Sequence, residues 1–297
     1  MDNTIIIGTR GSELALWQAH HVKGLLENLG HMCELHIIKT KGDNIQHLSF
    51  DKIEGKGFFT KEIEEALLKK EIDVAVHSHK DLETDQPEGL VVAAVSPRAD
   101  ARELLLIRPE SADSSKFFSL KENAIVGTSS ARRKSQMLHH RPDIQLADIR
   151  GNVTTRIQKL RDGQFDAILL AKAGVDRLKA DISGLEVVIP ETDVFVPAPA
   201  QGVLGIQCRA NDERVISILQ NINDAPTQSI IRIERTVLNR LQGGCQLPLG
   251  IHVTKNKDAF HAQVSIANTR DAPVRHFHKT GNDADVLIDD ILKQIYS

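Results

Sequence analysis

Residues 124–133, Ala-Ile-Val-Gly-Thr-Ser-Ser-Ala-Arg-Arg, decide the fold, because a short apolar run passes through a glycine turn into a charged helical stretch. The chain opens in the same way, with Ile5-Ile6-Ile7 before Gly8-Thr9-Arg10. A strand, a turn and a helix in this order form the repeating unit of α/β domains. Since the pattern starts twice, we predict two doubly wound α/β domains with a ligand site in the cleft between them.

The neighbouring stretches support this fold. Residues 72–76 and 166–170 are nearly all apolar, which is typical of strands buried on both faces. Ser12 is a predicted N-cap for the first helix, and Gly30 is its predicted end. The predicted buried face of that helix holds Leu14, Trp17, Val22, Leu25 and Leu29.

The chain changes character near Val194. A stiff Pro197-Ala198-Pro199 connector leads to a strand-like run at 205–208. A helix around 230–241 and alternating strands such as 262–266 follow. These features predict a small α+β domain at the C-terminal end.

Composition excludes several classes of protein. The 297 residues carry 37 Lys+Arg against 40 Asp+Glu, a net charge of −3, and 4% aromatic residues, so no nucleic-acid partner is predicted. Cys33, Cys208 and Cys245 form no CxxC pair, which argues against a zinc ribbon and indicates a reducing compartment. No signal-peptide pattern and no membrane-spanning apolar run is present, so a cytoplasmic protein without a membrane partner is predicted.

Five arginines lie at or near strand-to-helix turns, where their charge opposes the positive end of the helix dipole. This placement indicates a bound anion, although any single arginine has an alternative interpretation as a solvated surface residue. The sequence has no phosphate-binding loop, which favours carboxylate over phosphate as the ligand. The five are Arg10, Arg132, Arg133, Arg150 and Arg156.

Two other stretches carry candidate chemistry. Asp81, beside Lys80 after the 72–76 strand, can stabilise a cation or manage a proton, or can simply cap a turn. His77 and His79 have no visible third ligand, so a metal site is not predicted. Cys245 lies in a Gly-rich loop and can be a covalent attachment point, whereas Cys33 and Cys208 are expected to be buried and inert.

These motifs closely resemble the porphobilinogen deaminase (hydroxymethylbilane synthase) family, in the family's order and along essentially the whole chain. The matching stretches are 7–10 with 14–20, 55–57 with Phe59, 76–78 with 80–81, 127–130 with 132–133, 150–153 with Arg156, 201–202, and 243–246 with Pro248.

The resemblance implies three domains, two of them similar to periplasmic binding proteins. They are expected to comprise 1–97 with 198–213, then 98–197, then 214–297. The family joins four porphobilinogen molecules head to tail, with loss of ammonia, on a covalently bound dipyrromethane, and releases hydroxymethylbilane by hydrolysis. By resemblance Cys245 carries this cofactor through a thioether. The expected partners are porphobilinogen and uroporphyrinogen-III synthase, which takes the product, and the chain is expected to be a monomer.

The resemblance also assigns roles to single residues. Asp81 is expected to stabilise the azafulvene-like cation formed as ammonia leaves, with Arg10, Arg150 and Arg156 as further catalytic residues that bind substrate carboxylates. Arg177 and Gln201 are expected to bind substrate, and Phe59 to gate the site. Besides Cys245, the expected cofactor contacts are Lys56, Ser78, Lys80, Thr128, Ser129, Arg132 and Arg133.

The sequence is also compatible with two other functions. A non-enzymatic polycarboxylate binder would use the same arginines but would need neither Asp81 nor a modified Cys245. A phosphoryl-transfer enzyme would need a metal-carboxylate site and a phosphate loop, and neither is found in the sequence.

Overall fold

The computed structural model describes residues 4–40, 60–242, 247–267, 269 and 272–297. Within these ranges the chain forms two compact units. The first unit holds 4–40, 60–99 and 202–229, so the chain leaves it and later returns. The second unit holds 100–201 and the described part of 230–297. The predicted division into three domains, with its boundaries, stays a prediction.

The strands of the described ranges are numbered in chain order. They are β1 (Ile5–Thr9), β2 (Cys33–Ile37), β3 (Val74–Ser78), β4 (Leu90–Val95), β5 (Glu103–Ile107), β6 (Ile125–Gly127), β7 (Gln145–Ala147), β8 (Ala167–Ala171), β9 (Glu186–Val188), β10 (Leu204–Arg209), β11 (Leu249–Asn256), β12 (Ala259–Ile266) and β13 (Arg275–Gly281).

The α-helices of the same ranges are numbered likewise. They are α1 (Glu13–Asn28), α2 (Lys61–Leu68), α3 (Ala131–His140), α4 (Val153–Arg161), α5 (Lys172–Leu178), α6 (Glu213–Gln220), α7 (Ala225–Arg240) and α8 (Ala284–Tyr296). No helix in the described part of the chain is both long and apolar enough to span a bilayer.

The first unit contains a five-stranded mixed sheet with the order β2-β1-β3-β10-β4. β1 pairs in parallel with β2 and β3, whereas β10 runs antiparallel to β3 and β4. Ile5 and Ile7 face a core shared with α1 and α6, and Ile6 faces the core of α2. Because side chains alternate along a strand, the sheet buries both faces under helices, as predicted.

The second unit repeats this design with the sheet order β7-β6-β8-β5-β9. β6 is parallel to β7 and β8, and β5 is antiparallel to β8 and β9. Every residue of β5 is buried, with Leu105 and Ile107 in one core and Leu104 and Leu106 in the other. The predicted α/β class is confirmed, and the antiparallel strand inside each sheet is a feature that the sequence did not predict.

The C-terminal part of the second unit is a three-stranded antiparallel sheet with the order β11-β12-β13. Alternate residues of β11 and β12, such as Ile251 and Val264, join a core with Ile233 of α7 and Ile288 and Ile291 of α8. This arrangement confirms the predicted small α+β part.

The buried face of α1 differs from the prediction. Its buried residues are Gln18, Ala19, Val22 and Leu26, whereas Leu29 is 47% exposed. The helix is rotated so that its small and branched residues pack on the sheet, while Gln18 donates a hydrogen bond to Ser78 Oγ at 2.8 Å. The predicted ends are correct, because Ser12 accepts from the Ala15 N–H and Gly30 takes a φ of +87° just after the helix.

Gly250 lies where the small sheet meets the connector 194–201. A Cβ at this position would be 2.6 Å from the carbonyl oxygen of Val196, so Gly250→Ala should destabilise the protein by about 1–3 kcal/mol through overpacking. Gly24→Ala in α1 is the matched control, because its Cβ would have no atom within 4 Å. That change should stabilise the protein by about 0.5–1 kcal/mol. Chemical denaturation measures both changes, and equal midpoints for the two variants would contradict the prediction.

Candidate functional site

Four predicted site residues of the first unit lie where neighbouring strands end. Arg10 directly follows β1, and Ser78, Lys80 and Asp81 lie at the end of the adjacent parallel strand β3. Lys80 is half-buried and Asp81 is exposed. We call these four residues the first-unit cluster. Since the carboxyl ends of parallel strands share one edge of the sheet, the fold brings two cations and a carboxylate to that edge.

Two histidines accompany this cluster without forming a metal site. His77 and His79 are both buried. Across the described ranges, no group of three His, Cys, Asp or Glu side chains has the geometry to hold a metal ion. Burial, together with the positive charge of Arg10, lowers the pKa of His77 to about 4. His77 is therefore neutral at physiological pH.

The buried neutral state of His77 makes the stability of the protein depend on pH. Its pKa is about 4 in the folded chain and near 6.5 in the unfolded chain, so between these values the unfolded state binds the extra proton. The contribution of His77 is complete above pH 6.5 and is lost as the pH falls to 4, by about 3 kcal/mol. We expect His77→Asn to flatten this dependence in unfolding experiments from pH 4 to 7.

The control for this titration is His276 in the second unit, whose pKa is also lowered to about 4, first by burial and then by neighbouring histidines. A His276→Asn variant should keep the part of the slope that His77 contributes. Identical pH profiles for the wild type and His77→Asn would show that His77 does not control the slope.

A second set of predicted residues lies at the carboxyl ends of β6 and β7. Thr128 and Ser129 follow β6, and Arg150 follows β7 three residues before the start of α4. Ser129 Oγ donates to the carbonyl of Ile149 at 3.0 Å and accepts from the Ile149 N–H at 3.1 Å, which ties the two turns together. We call Thr128, Ser129, Arg150 and Arg156 the second-unit cluster.

Two helix N-termini point at the second-unit cluster. α3 begins after Ser130, whose side chain accepts from the Arg133 N–H, and α4 begins after Asn152, whose side chain accepts from the Thr155 N–H. Arg156 is half-buried on the first turn of α4, and its Nε donates to the carbonyl of Gly151 at 2.8 Å. Backbone N–H groups and guanidinium groups at adjacent helix starts are suited to bind carboxylates.

Arg132 and Arg133 lie deeper than the sequence suggested. Their side chains are only 6% and 7% exposed, and both donate to the fully buried Glu103 on β5, at 2.5 Å and 2.7 Å. Arg132 also donates to the carbonyl of Val196, and Arg133 to that of Leu169. We call Arg132, Arg133 and Glu103 the arginine–glutamate trio. Their expected contacts with the cofactor stay a prediction.

The remaining predicted residues of the second unit are also largely buried. Gln201 is fully buried and donates from Nε2 to Glu103 at 3.0 Å and to the carbonyl of Ala101 at 2.8 Å. Arg177 is half-buried near the end of α5, and burial lowers its pKa to about 10, so it stays protonated at neutral pH. Substrate binding by Gln201 and Arg177 stays a prediction.

Three predicted site residues, Lys56, Phe59 and Cys245, lie outside the described residues. The other two cysteines, Cys33 and Cys208, are buried as expected. Burial raises the pKa of the Cys208 thiol to about 11 and also raises that of Cys33. Both thiols are therefore protonated and unreactive at neutral pH.

Sequence reasoning missed two residues that shape these sites, Glu103 and Gln18. Glu103 had a signal, because a carboxylate at the head of the apolar run 104–107 needs a buried partner. Gln18 had no signal, because its hydrogen bond to Ser78 joins positions 60 residues apart.

Comparison with known proteins gives the same family along most of the chain. The family model described as "Porphobilinogen deaminase, dipyromethane cofactor binding domain" matches residues 5–217. A porphobilinogen deaminase of Nitratiruptor sp. is 46% identical over 84% of this chain and 78% of its own length. A porphobilinogen deaminase of Trichlorobacter lovleyi is 41% identical over 95% of this chain and 88% of its own length.

Among solved structures, the periplasmic VFT2 domain of Bordetella pertussis BvgS matches 78% of this chain and 94% of its own, with 12% identity and a TM-score of 0.45. The family model spans both α/β sheets and every described member of the two clusters. On the strength of that match and of relatives above 40% identity, the chain belongs to the porphobilinogen deaminase family.

Proposed function

We propose that this protein is a hydroxymethylbilane synthase. It joins four porphobilinogen molecules head to tail and hydrolyses the product from the enzyme, so that four porphobilinogen and one water give one hydroxymethylbilane and four ammonia. Family membership supports the reaction. The observation that carries the proposal is the concentration of carboxylate-binding donors at strand ends, because each pyrrole ring brings an acetate and a propionate.

The second-unit cluster is suited to hold the pyrrole chain. Helix N-termini and the guanidinium groups of Arg150 and Arg156 offer several donors to carboxylate oxygens. Beneath them, Arg133 Nε is buried and has no hydrogen-bond partner, which leaves a donor for a further acceptor. Both features fit a dipyrromethane, whose two rings carry four carboxylates.

We propose that the dipyrromethane is attached to Cys245 through a thioether and contacts Lys56, Ser78, Lys80, Thr128, Ser129, Arg132 and Arg133. When bound, it supplies the nucleophilic carbon of its terminal pyrrole ring. The thiol of Cys245 serves as an anchor, and Phe59 gates the site.

In this proposal the first-unit cluster stabilises the charges that develop during the reaction. Asp81 stabilises the positive charge that develops on a pyrrole ring as ammonia leaves and takes up the proton of the pyrrole carbon after bond formation. Arg10 and Lys80 bind carboxylates of the same rings, so the negative charge of Asp81 is directed at the reacting centre. Arg177 and Gln201 complete the substrate contacts. The protein acts in the cytoplasm as a monomer and passes its product to uroporphyrinogen-III synthase.

Intact mass spectrometry of the purified protein tests this function. We expect the wild type to carry an added mass equal to two linked pyrrole units and Cys245→Ser to lack it. Cys33→Ser is the matched control and should keep the adduct, because Cys33 is buried and pairs with Ile5, at the end of β1 opposite to Arg10. A wild type that stays unmodified after incubation with porphobilinogen would favour a polycarboxylate-binding protein instead.

A further inference from the structure

The arginine–glutamate trio is a buried site with an unbalanced charge. Arg132 and Arg133 are adjacent in the sequence, yet both guanidinium groups reach Glu103, one to each carboxylate oxygen. The side chain of Glu103 is fully buried, and those of the two arginines are 6% and 7% exposed. Two cations and one anion leave a net charge of +1 in a region of low dielectric constant, which is unfavourable unless another anion approaches.

The carboxylate of Glu103 is held in one orientation by neighbours that are themselves fixed. Glu103 is the first residue of β5 and is paired with Ala171 of β8. Gln201 Nε2 donates to the oxygen that also accepts from Arg132. Glu103 therefore orients both guanidinium groups from a rigid part of the sheet, and their outer ends also donate to backbone carbonyls.

The trio keeps at least one donor unused within the described residues. Arg133 Nε is buried and makes no hydrogen bond, although Nη1 and Nη2 of the same side chain are both bonded. An unsatisfied buried donor on a cation is costly and is relieved by an acceptor that carries negative charge. A single bound carboxylate would balance the net positive charge of the trio and accept the hydrogen bond of Arg133 Nε.

We propose that Glu103 is a positioning residue, which fixes the guanidinium groups of Arg132 and Arg133 and cancels one of their two charges, so that the trio receives one carboxylate of the pyrrole primer. This inference rests on the proposed function. In this inference Glu103 orients the two guanidinium groups and neutralises one of their charges, whereas Arg132 and Arg133 contact the ligand.

The test is the rate at which cofactor-free protein acquires the two-ring adduct from porphobilinogen, followed by intact mass at a temperature where each variant is folded by circular dichroism. We expect Glu103→Gln, which removes the charge and keeps the shape, to load at least tenfold more slowly than the wild type. Glu103→Asp, which keeps the charge on a shorter side chain, should load about two- to fivefold more slowly.

Glu64→Gln is the matched control, because Glu64 is a buried glutamate of the first unit that accepts from Thr60 and Gln207 and contacts no arginine among its described partners. It should load at the wild-type rate even if it lowers the unfolding midpoint as much as Glu103→Gln does. This comparison separates a positioning role from a general loss of stability.

Two results would overturn the inference: loading of folded Glu103→Gln at the wild-type rate, or equally slow loading of Glu103→Asp and Glu103→Gln. If Glu103→Gln fails to fold, Glu103→Asp decides alone, and wild-type loading by that variant would overturn the inference. A wild type that acquires no adduct would instead contradict the proposed function, so the two failures are distinguishable.

Discussion

Asp81→Asn is expected to lower kcat for porphobilinogen consumption by about 10²–10³-fold, with a much smaller change in KM. The amide keeps the shape of the side chain but removes the negative charge that, in the proposed function, stabilises the developing cation. Losses of this size are typical for a removed electrostatic stabiliser. Asp81 is exposed at the end of β3, so the variant should unfold at nearly the wild-type temperature. Steady-state kinetics and a thermal melt check both expectations.

Asp85→Asn is the control for Asp81→Asn, since it removes the same charge from an exposed position four residues further along the chain. Its kcat should stay within about twofold of the wild type, because long-range effects of exposed charges are screened by salt. If the two variants lose activity equally, the assignment of Asp81 as the stabilising carboxylate is wrong.

Glu234→Ala should lower the free energy of unfolding by about 2–6 kcal/mol. Glu234 is fully buried on α7, and its two oxygens accept from the backbone N–H groups of Ala200 and Val253, each at 2.7 Å. It thereby joins three parts of the second unit: the helix, the connector and β11. Removal of the carboxylate leaves two buried N–H groups without acceptors, at about 1–3 kcal/mol each. Denaturant titration with a probe in the second unit measures the loss.

Glu234→Gln separates hydrogen bonding from packing at this position. The amide keeps one acceptor oxygen and nearly the same volume, so the expected loss is about half that of Glu234→Ala. An unchanged midpoint for Glu234→Ala would mean that other contacts, rather than this carboxylate, hold the connector to β11.

The strand-turn-helix order was predictable because its signals are local. Apolar runs, glycine turns and the caps Ser12 and Ser130 identify each unit without knowledge of distant residues. The rotation of α1 was predicted incorrectly, because Gln18 is buried by a hydrogen bond to a residue on another strand. The antiparallel position of β10 was also missed, since pairing direction depends on where a distant segment returns to the sheet.

The candidate site was predictable only as a set of positions. Strand ends collect ligand-binding residues in α/β folds, which is why Arg10, Asp81 and Arg150 could be predicted as candidates from the sequence pattern. Thr128 was predicted only from the family resemblance. The depth of Arg132 and Arg133 was not predictable, because it depends on Glu103, which is about 30 residues away in the sequence. A charged side chain can be buried only where an oppositely charged or hydrogen-bonding residue pairs with it, and a sequence pattern does not identify that residue.

The return of the chain to its first sheet has a consequence for biosynthesis. β10 lies between β3 and β4, so the N-terminal sheet lacks an inner strand until residues 204–209 have left the ribosome. Strands β5 to β9 of the other sheet are contiguous in the sequence and are complete earlier. The sheet of β5 to β9 can therefore fold during translation before β3 and β4 can pair with β10. Until β10 is synthesised, the edges of β3 and β4 remain unpaired and accessible to chaperones.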